Sequence, residues 1–113
     1  DIFAEEDEQI QIVSGLDHPF ALPEGHDNAG FLYDQNSGRF MLFKTEASCF
    51  VVYTANFVDE SVLVAGKPMI QHNGIALEAQ ALPDAIHSDF KDQVILKAGQ
   101  TFTSKTRYEI VVK

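Results

Sequence analysis

The sequence has little of several features that particular classes of protein require. A single cysteine, Cys49, excludes an internal disulfide, and its apolar neighbours predict a buried thiol rather than a reactive one. Only 8 lysine and arginine residues accompany 17 aspartate and glutamate residues, and the net charge of −9 argues against nucleic acid as a partner. No apolar run approaches the ~20 residues that span a bilayer. We therefore expect a soluble protein of the cytoplasm that does not contact membranes.

Other absences narrow the chemistry that the chain can perform. The histidines are scattered, none has the His-x-His or His-x₃-His spacing of a metal site, and there is no cysteine pair, so we predict neither a metal nor another cofactor. No nucleophile elbow surrounds Ser37, and no glycine-rich phosphate loop is present. No stretch predicts a long helix, and no repeat, low-complexity segment or linker divides the chain. The chain is expected to form a single domain.

Short runs of apolar and β-branched residues, separated by turn residues, make up most of the sequence. Residues 1–9 are acidic and are predicted to be a loop or connecting segment, residues 55–72 a long irregular loop, and residues 84–90 a short helical turn. Many short strands joined by turns predict an all-β fold, either a sandwich or a barrel. The strands are predicted at 10–15, 17–22, 31–33, 39–45, 50–54, 75–80, 94–96 and 101–112. Strands 31–33 and 39–45 are predicted to form a hairpin around the turn residues 34–38, and residues 23–30 a loop.

The most informative of these strands alternates apolar and polar side chains between residues 75 and 80. That period of two predicts a strand with one apolar face, and it places Glu78 and Gln80 together on the polar face. Pro83 ends the strand because proline cannot donate a hydrogen bond to a neighbouring strand. The result is a carboxylate and an amide side by side, just before a turn.

The stretch 73–85 resembles the motif of the galactose mutarotases (aldose 1-epimerases), in which a glycine-containing strand carries Glu-x-Gln followed by Pro-Asp-Ala. The resemblance covers nearly the whole chain and implies that residues 1–113 are part of the large antiparallel β-sandwich of that family. Four further segments match motifs of the family in the family's order: Gly15–Phe20, Ser37–Arg39, Tyr53–Asn56 and Leu96–Gln100.

The chain also departs from the family pattern. The family places two ring-binding histidines and a substrate-binding arginine before its Asp-His motif, whereas only sixteen residues precede Asp17 here, and none of them is histidine or arginine. The resemblance therefore implies the carboxy-terminal part of a mutarotase, whose partner is the remainder of the mutarotase chain or a second copy of itself. Val51 stands where animal-type members tend to carry glutamine, a difference that bears on fine specificity.

The resemblance implies chemical roles for three residues. In mutarotation a base removes the proton of the anomeric hydroxyl while an acid protonates the ring oxygen, so that the ring opens and closes again on the other face. Glu78 corresponds to the base of the family, and Asp17 to the carboxylate that binds the hydroxyls of a hexose, galactose or glucose. Gln80 shares the face of Glu78 and is expected to orient it at the substrate.

Considered without the resemblance, each candidate residue has a structural alternative. Glu78 is then a solvent-facing carboxylate on an edge strand, Gln80 is its polar neighbour, and Asp17 is a turn residue after a glycine. His18 either orients Asp17 or is a hydrogen-bonded histidine near the core, and we favour the second because neighbours on a strand point to opposite faces. Asp84 is expected to cap the short helical turn.

Two functions of different classes follow from these residues. The leading hypothesis is an aldose 1-epimerase in which this chain supplies the base and one sugar ligand but not the acid, so that the chain alone is inactive. The alternative is a non-catalytic carbohydrate-binding β-sandwich module that keeps the sugar-binding face. A third possibility is a purely structural β-domain whose open sheet edge pairs with another chain.

Overall fold

The computed structural model describes residues 6–25 and 30–112. Most of the regular structure in the described residues is β-strand, which confirms the predicted all-β class. Two short 3₁₀ helices lie between the last two strands. In chain order the elements are α1 (Glu8–Val13), β1 (Asp17–Ala21), β2 (Gly30–Asp34), β3 (Arg39–Thr45), β4 (Cys49–Tyr53), β5 (Leu63–Val64), β6 (Lys67–Pro68), β7 (Ala76–Gln80), the 3₁₀ helices Ala85–His87 and Lys91–Gln93, and β8 (Thr106–Val112).

Helix α1 occupies most of the region where the sequence predicted a strand over residues 10–15, so that prediction is wrong. The Asp7 carboxylate caps the helix by accepting hydrogen bonds from the backbone N–H groups of Gln9 and Ile10. Ser14 ends it in the left-handed conformation, with φ 56°. The helix is only six residues long. A run this short contains too few apolar residues for its period to separate a helix from a strand.

The strands of residues 6–25 and 30–112 form three sheets, and the strand register is defined most fully in the sheet of order β2-β3-β8. Strands β2 and β3 make an antiparallel hairpin in which Gly30 is opposite Phe43, and β3 pairs antiparallel with β8 so that Phe43 is also opposite Tyr108. A second sheet has the order β1-β4-β7, and β5 pairs antiparallel with β6. The predicted hairpin of residues 31–33 and 39–45 is confirmed.

Two predicted segments differ from the structure. The loop predicted over residues 55–72 contains the β5–β6 hairpin, whose turn residues Ala65 and Gly66 both have positive φ, as a tight two-residue hairpin turn requires. The strand predicted over residues 94–96 is absent, because Val94 instead extends the preceding 3₁₀ helix by donating to the Lys91 carbonyl at 3.1 Å. Apolar character alone does not separate a strand from an irregular segment.

The remaining predictions of secondary structure are confirmed where the structure describes the chain. Strands β1, β4 and β7 coincide with the predicted runs within one or two residues, β8 begins five residues later than predicted, and the helical turn after residue 84 is present. The acidic segment 1–9 lies mostly outside the described residues, and helix α1 begins at its end, with Glu8. The middle of the predicted loop over residues 23–30, including His26, also lies outside them.

The chain forms two compact units. The first comprises the described residues up to Phe20 together with Val51–Glu78, and its buried centre is partly polar, with Thr54 and Asn56 4% and 2% exposed. The second comprises Ala21–Phe50 and the described residues from Ala79 onward. Its centre is aromatic and apolar. The buried side chains of this second unit are Phe43, Cys49, Phe50 and Ala85, together with the polar Thr45.

Candidate functional site

Asp17 is the first residue of β1, and its side chain is exposed to solvent. Its backbone N–H donates a hydrogen bond of 3.0 Å to Nδ1 of His18, whose ring is half-buried. The imidazole therefore accepts at Nδ1. This contact agrees with the interpretation of His18 as a hydrogen-bonded histidine beside the core. It leaves the Asp17 carboxylate oriented outward at the beginning of a strand, where it is accessible to a ligand.

Glu78 lies on β7, also in the first unit, and its side chain is exposed. In the sheet order β1-β4-β7, strand β4 separates β7 from β1, so two strand spacings of ~4.8 Å separate the backbones that carry Glu78 and Asp17. A hexose is of comparable width. Because β7 is the last strand of this sheet among the described residues, its exposed carboxylate also agrees with the structural alternative.

Gln80 is half-buried at the end of β7, and the period of two along the strand puts it on the same side of β7 as Glu78. Within the second unit it lines a groove of about 810 Å³. The groove is mainly apolar, and its lining includes Val94, Ile95, Leu96 and Phe102 but neither Asp17 nor Glu78. The two candidate carboxylates are therefore not part of the lining of this groove.

The buried polar side chains of Thr54 and Asn56 were not predicted as part of the site. Both contact the residue that precedes Asp17: the N–H of Leu16 donates to Thr54 Oγ1 at 2.9 Å, and Asn56 Nδ2 donates to the Leu16 carbonyl at 2.8 Å. Their sequence signal is a pair of polar residues directly after the apolar strand β4. The sequence analysis found them only as a family motif and gave them no role.

Other polar groups of the chain have local roles. Asp84 occupies the position before a 3₁₀ helix but makes no capping bond with its side chain, so the predicted cap is wrong. Its carboxylate instead lies 2.6 Å from Nδ1 of His87. Within residues 6–25 and 30–112, no three histidine, cysteine, aspartate or glutamate side chains are grouped as a metal site requires, and no helix is long and apolar enough to cross a membrane.

The family model described as aldose 1-epimerase matches residues 3–109 of the chain. The chain belongs to the aldose 1-epimerase family. This membership confirms the family that the motifs predicted, and the matched region contains Asp17, Glu78 and Gln80.

Individual members of the aldose 1-epimerase family support this result. The chain is 31% identical over 104 residues to the galactose mutarotase of Bos taurus and 27% identical over 103 residues to that of Rattus norvegicus, in each case covering 88% of this chain. A crystal structure of galactose 1-epimerase from Lactobacillus acidophilus matches 96% of this chain with 29% identity and a TM-score of 0.65. The mutarotase-like β fold is thereby confirmed. The chain spans about 30% of the length of these relatives.

Proposed function

We propose that this chain is part of an aldose 1-epimerase that interconverts the α and β anomers of galactose or glucose. The observation that carries the proposal is the family match across residues 3–109, a range that contains both carboxylates. Two relatives are galactose mutarotases, and the sugar named for them is the basis for proposing a hexose here.

In the proposed reaction Glu78 is the general base that takes the proton of the anomeric hydroxyl. The assignment is supported by the Glu-x-Gln motif rather than by burial, because Glu78 is exposed in the described chain. Asp17 accepts hydrogen bonds from sugar hydroxyls, a role that suits an ionised carboxylate with two acceptor oxygens. Gln80 orients Glu78 from two residues further along β7. None of the motifs in this chain corresponds to the acid that protonates the ring oxygen.

The missing acid makes a partner part of the proposal. We expect the remainder of a mutarotase chain, or a second copy of this one, to supply it. The structure supports a partner through its apolar surface: several large side chains of the β2-β3-β8 sheet are exposed, among them Phe31 at 63%, Ile110 at 70% and Val112 at 73%. Surface of this kind is typical of a region that another part of a protein covers.

The deciding experiment measures anomer exchange by NMR with freshly dissolved α-galactose and the complete gene product. Replacing Glu78 by glutamine keeps the shape of the side chain but removes the base, so kcat should fall by at least ~10²-fold while the fold is retained. The matched control is Glu60→Gln, which removes another exposed carboxylate of the first unit and should leave kcat unchanged. Normal turnover in Glu78→Gln would exclude Glu78 as the base.

The same experiment tests the alternative of a non-catalytic carbohydrate-binding module. Asp17 is exposed at the start of β1, so a sugar can reach its carboxylate whether or not the protein catalyses a reaction. This exposure is the observation that favours a binding module. A module of this kind would show galactose-dependent shifts in its NMR spectrum with no acceleration of anomer exchange. Acceleration that disappears in Glu78→Gln would decide in favour of the enzyme.

A further inference from the structure

Thr54 and Asn56 are buried polar residues in the first unit, 4% and 2% exposed, and their side chains converge on a single residue, Leu16. Thr54 Oγ1 accepts from the Leu16 N–H at 2.9 Å and donates to Asn56 Oδ1 at 2.7 Å. Asn56 Nδ2 donates to the Leu16 carbonyl at 2.8 Å, and the backbone N–H of Thr54 donates to the same carbonyl at 3.1 Å. Both polar groups of the Leu16 backbone are therefore satisfied by this pair.

The Leu16 carbonyl belongs to the same planar peptide unit as the N–H of Asp17. By donating to that carbonyl, Asn56 fixes the orientation of the peptide plane that links Leu16 to Asp17. The other side of the same plane is held by His18, whose Nδ1 accepts from the Asp17 N–H at 3.0 Å. The backbone of Asp17 is thus fixed from both sides of one peptide, although its carboxylate is exposed.

Gly15 shows how closely the pair surrounds this segment. A Cβ atom at Gly15 would lie 2.3 Å from Asn56 Oδ1 and 2.5 Å from Thr54 Oγ1, and the residue has φ +148°. Both the space and the backbone angle exclude a larger residue. The contact of the pair with the backbone on the amino-terminal side of Asp17 is therefore direct.

The backbone of the pair is itself held by a second segment. Gln71 Nε2 donates to the Asn56 carbonyl at 2.8 Å, and the N–H of His72 donates to the Ala55 carbonyl at 3.0 Å. Ala55 and His72 both have positive φ, at 51° and 61°. Strained residues of this kind persist only where their surroundings hold them in place, and they concentrate at functional sites.

We infer that Thr54 and Asn56 are positioning residues that hold the two peptides on either side of Leu16, Thr54 through the Leu16 N–H and Asn56 through the Leu16 carbonyl, so that the Asp17 carboxylate is pre-oriented for the sugar. The inference rests on the proposed function, in which Asp17 binds sugar hydroxyls. Pre-orientation lowers the ordering that a binding group must undergo when its ligand arrives. The pair then affects the affinity for the sugar and not the proton transfers.

The test compares Thr54→Val with Thr45→Val in the complete gene product. Both residues are buried threonines with a bonded hydroxyl, but Thr45 pairs with Thr106 in the second unit. Thr54→Val leaves the Leu16 N–H without its acceptor and should raise KM for galactose roughly 5- to 10-fold at nearly unchanged kcat, the effect of one hydrogen bond. Thr45→Val should change neither constant. Simple loss of folded protein lowers the apparent kcat and leaves KM unchanged, so the two causes separate.

Two further variants connect the effect to Asp17. Thr54→Ser keeps the hydroxyl and should restore KM to within about twofold, as the loss of one hydrogen bond is avoided. Combined with Asp17→Asn, Thr54→Val should raise KM no further, since residues that act through one group are not additive. Additive effects in the double variant, or a normal KM in Thr54→Val, would overturn the positioning role.

The failure of the proposed function is recognised separately. A wild-type protein without anomer exchange overturns that function, whereas an active enzyme with a normal KM in Thr54→Val overturns only the positioning role. If Thr54→Val does not fold, hydrogen exchange in the unmodified protein tests the positioning role instead. The Leu16 amide should be protected from hydrogen exchange before galactose is added, and rapid exchange in the absence of sugar would disprove pre-orientation.

Discussion

The ring of Phe43 packs edge-on against the ring of Phe50, with centroids 5.1 Å apart and ring planes at 66°. Both rings are nearly inaccessible to solvent, 7% and 2% exposed. Edge-to-face geometry brings the positive edge of one ring to the negative face of the other. This pair joins β3 to β4 in the centre of the second unit, and the stability of that unit should depend on it.

Replacement of Phe50 by alanine should therefore be strongly destabilising. Removal of a buried phenylalanine ring leaves a cavity and typically lowers the free energy of unfolding by about 3–5 kcal/mol. Urea unfolding followed by far-UV circular dichroism measures the change. The control is Phe57→Ala, because Phe57 is 67% exposed and its loss should alter stability by no more than about 0.5 kcal/mol. Equal effects of the two replacements would contradict the assignment of the core.

Replacement of Gly30 by alanine tests how rigidly the Phe43 ring is held. An added Cβ would lie 2.7 Å from Cζ of that ring, which cannot move freely because Phe50 packs against it. We expect a loss of about 1–3 kcal/mol, the usual effect of overpacking. At Gly74 an added Cβ meets no atom within 4 Å, so Gly74→Ala serves as the matched control and should be neutral or slightly stabilising. Equal stabilities of Gly30→Ala and Gly74→Ala would show that the Phe43 ring moves aside and is not rigidly held.

Asp34 in the β2–β3 turn should titrate at lower pH than an ordinary aspartate. The Ser37 hydroxyl donates to its carboxylate at 2.5 Å, and this bond, with that of the Asn36 N–H, holds the pKa below its ordinary value of 3.8. A lowered pKa in the folded state means that the turn is stabilised above the ordinary pKa and loses this contribution as the pH falls through the lowered one.

Removal of the hydroxyl in Ser37→Ala should move the Asp34 pKa upward toward 3.8, as followed by ¹³C NMR of the carboxyl carbon. Asp59 provides an internal control, because Ser61 lowers its pKa in the same way in the first unit. Its titration should not change in Ser37→Ala. An unshifted Asp34 in that variant would show that the hydroxyl does not hold the carboxylate in solution.

The 113-residue chain by itself should associate with a partner or with its own copies. Strand β8 is the last strand of its sheet among the described residues, and it exposes Ile110 and Val112 at 70% and 73%. An apolar edge strand is a template for pairing with another chain, and lysine on an edge opposes such pairing. Sedimentation velocity should show concentration-dependent association that decreases in Ile110→Lys. The control Ile70→Lys alters an exposed isoleucine outside the strands and should leave association unchanged.

Strands whose side chains alternate were readily predicted from the sequence. The alternation of residues 75–80 predicted strand β7 correctly, although burial does not alternate along it: Ile75 is 50% exposed and Gln80 is half-buried. The β2–β3 hairpin also has its turn where the sequence predicts one. The region 10–15 was predicted wrongly because its few apolar residues fit the period of a helix as well as that of a strand. Asp7, three residues before Ile10, was the available signal for a helix start. The hairpin of β5 and β6 has only two residues in each strand, which is too few for any period to be visible.

For the candidate site, the sequence identified residue types but not their environment. Glu78 and Asp17 were found through motifs, and both are exposed at positions that a ligand can reach. The part played by Asn56 depends on a hydrogen bond to Leu16, a residue 40 positions away. No local pattern predicts a contact across such a distance, since it depends on which strands become neighbours. The apolar groove next to Gln80 was missed for the same reason.

The separation of 40 residues between Leu16 and Asn56 also determines when this contact can form during synthesis. Helix α1 closes its hydrogen bonds within its own few residues, so those bonds need no later part of the chain. The peptide before Asp17 must wait until Asn56 has been added, about 2–8 s later at a rate of 5–20 residues per second. During that interval Asn56 does not yet hold the backbone before Asp17. A nascent polypeptide that is released from the ribosome in this interval contains Asp17 but lacks the groups that hold its backbone.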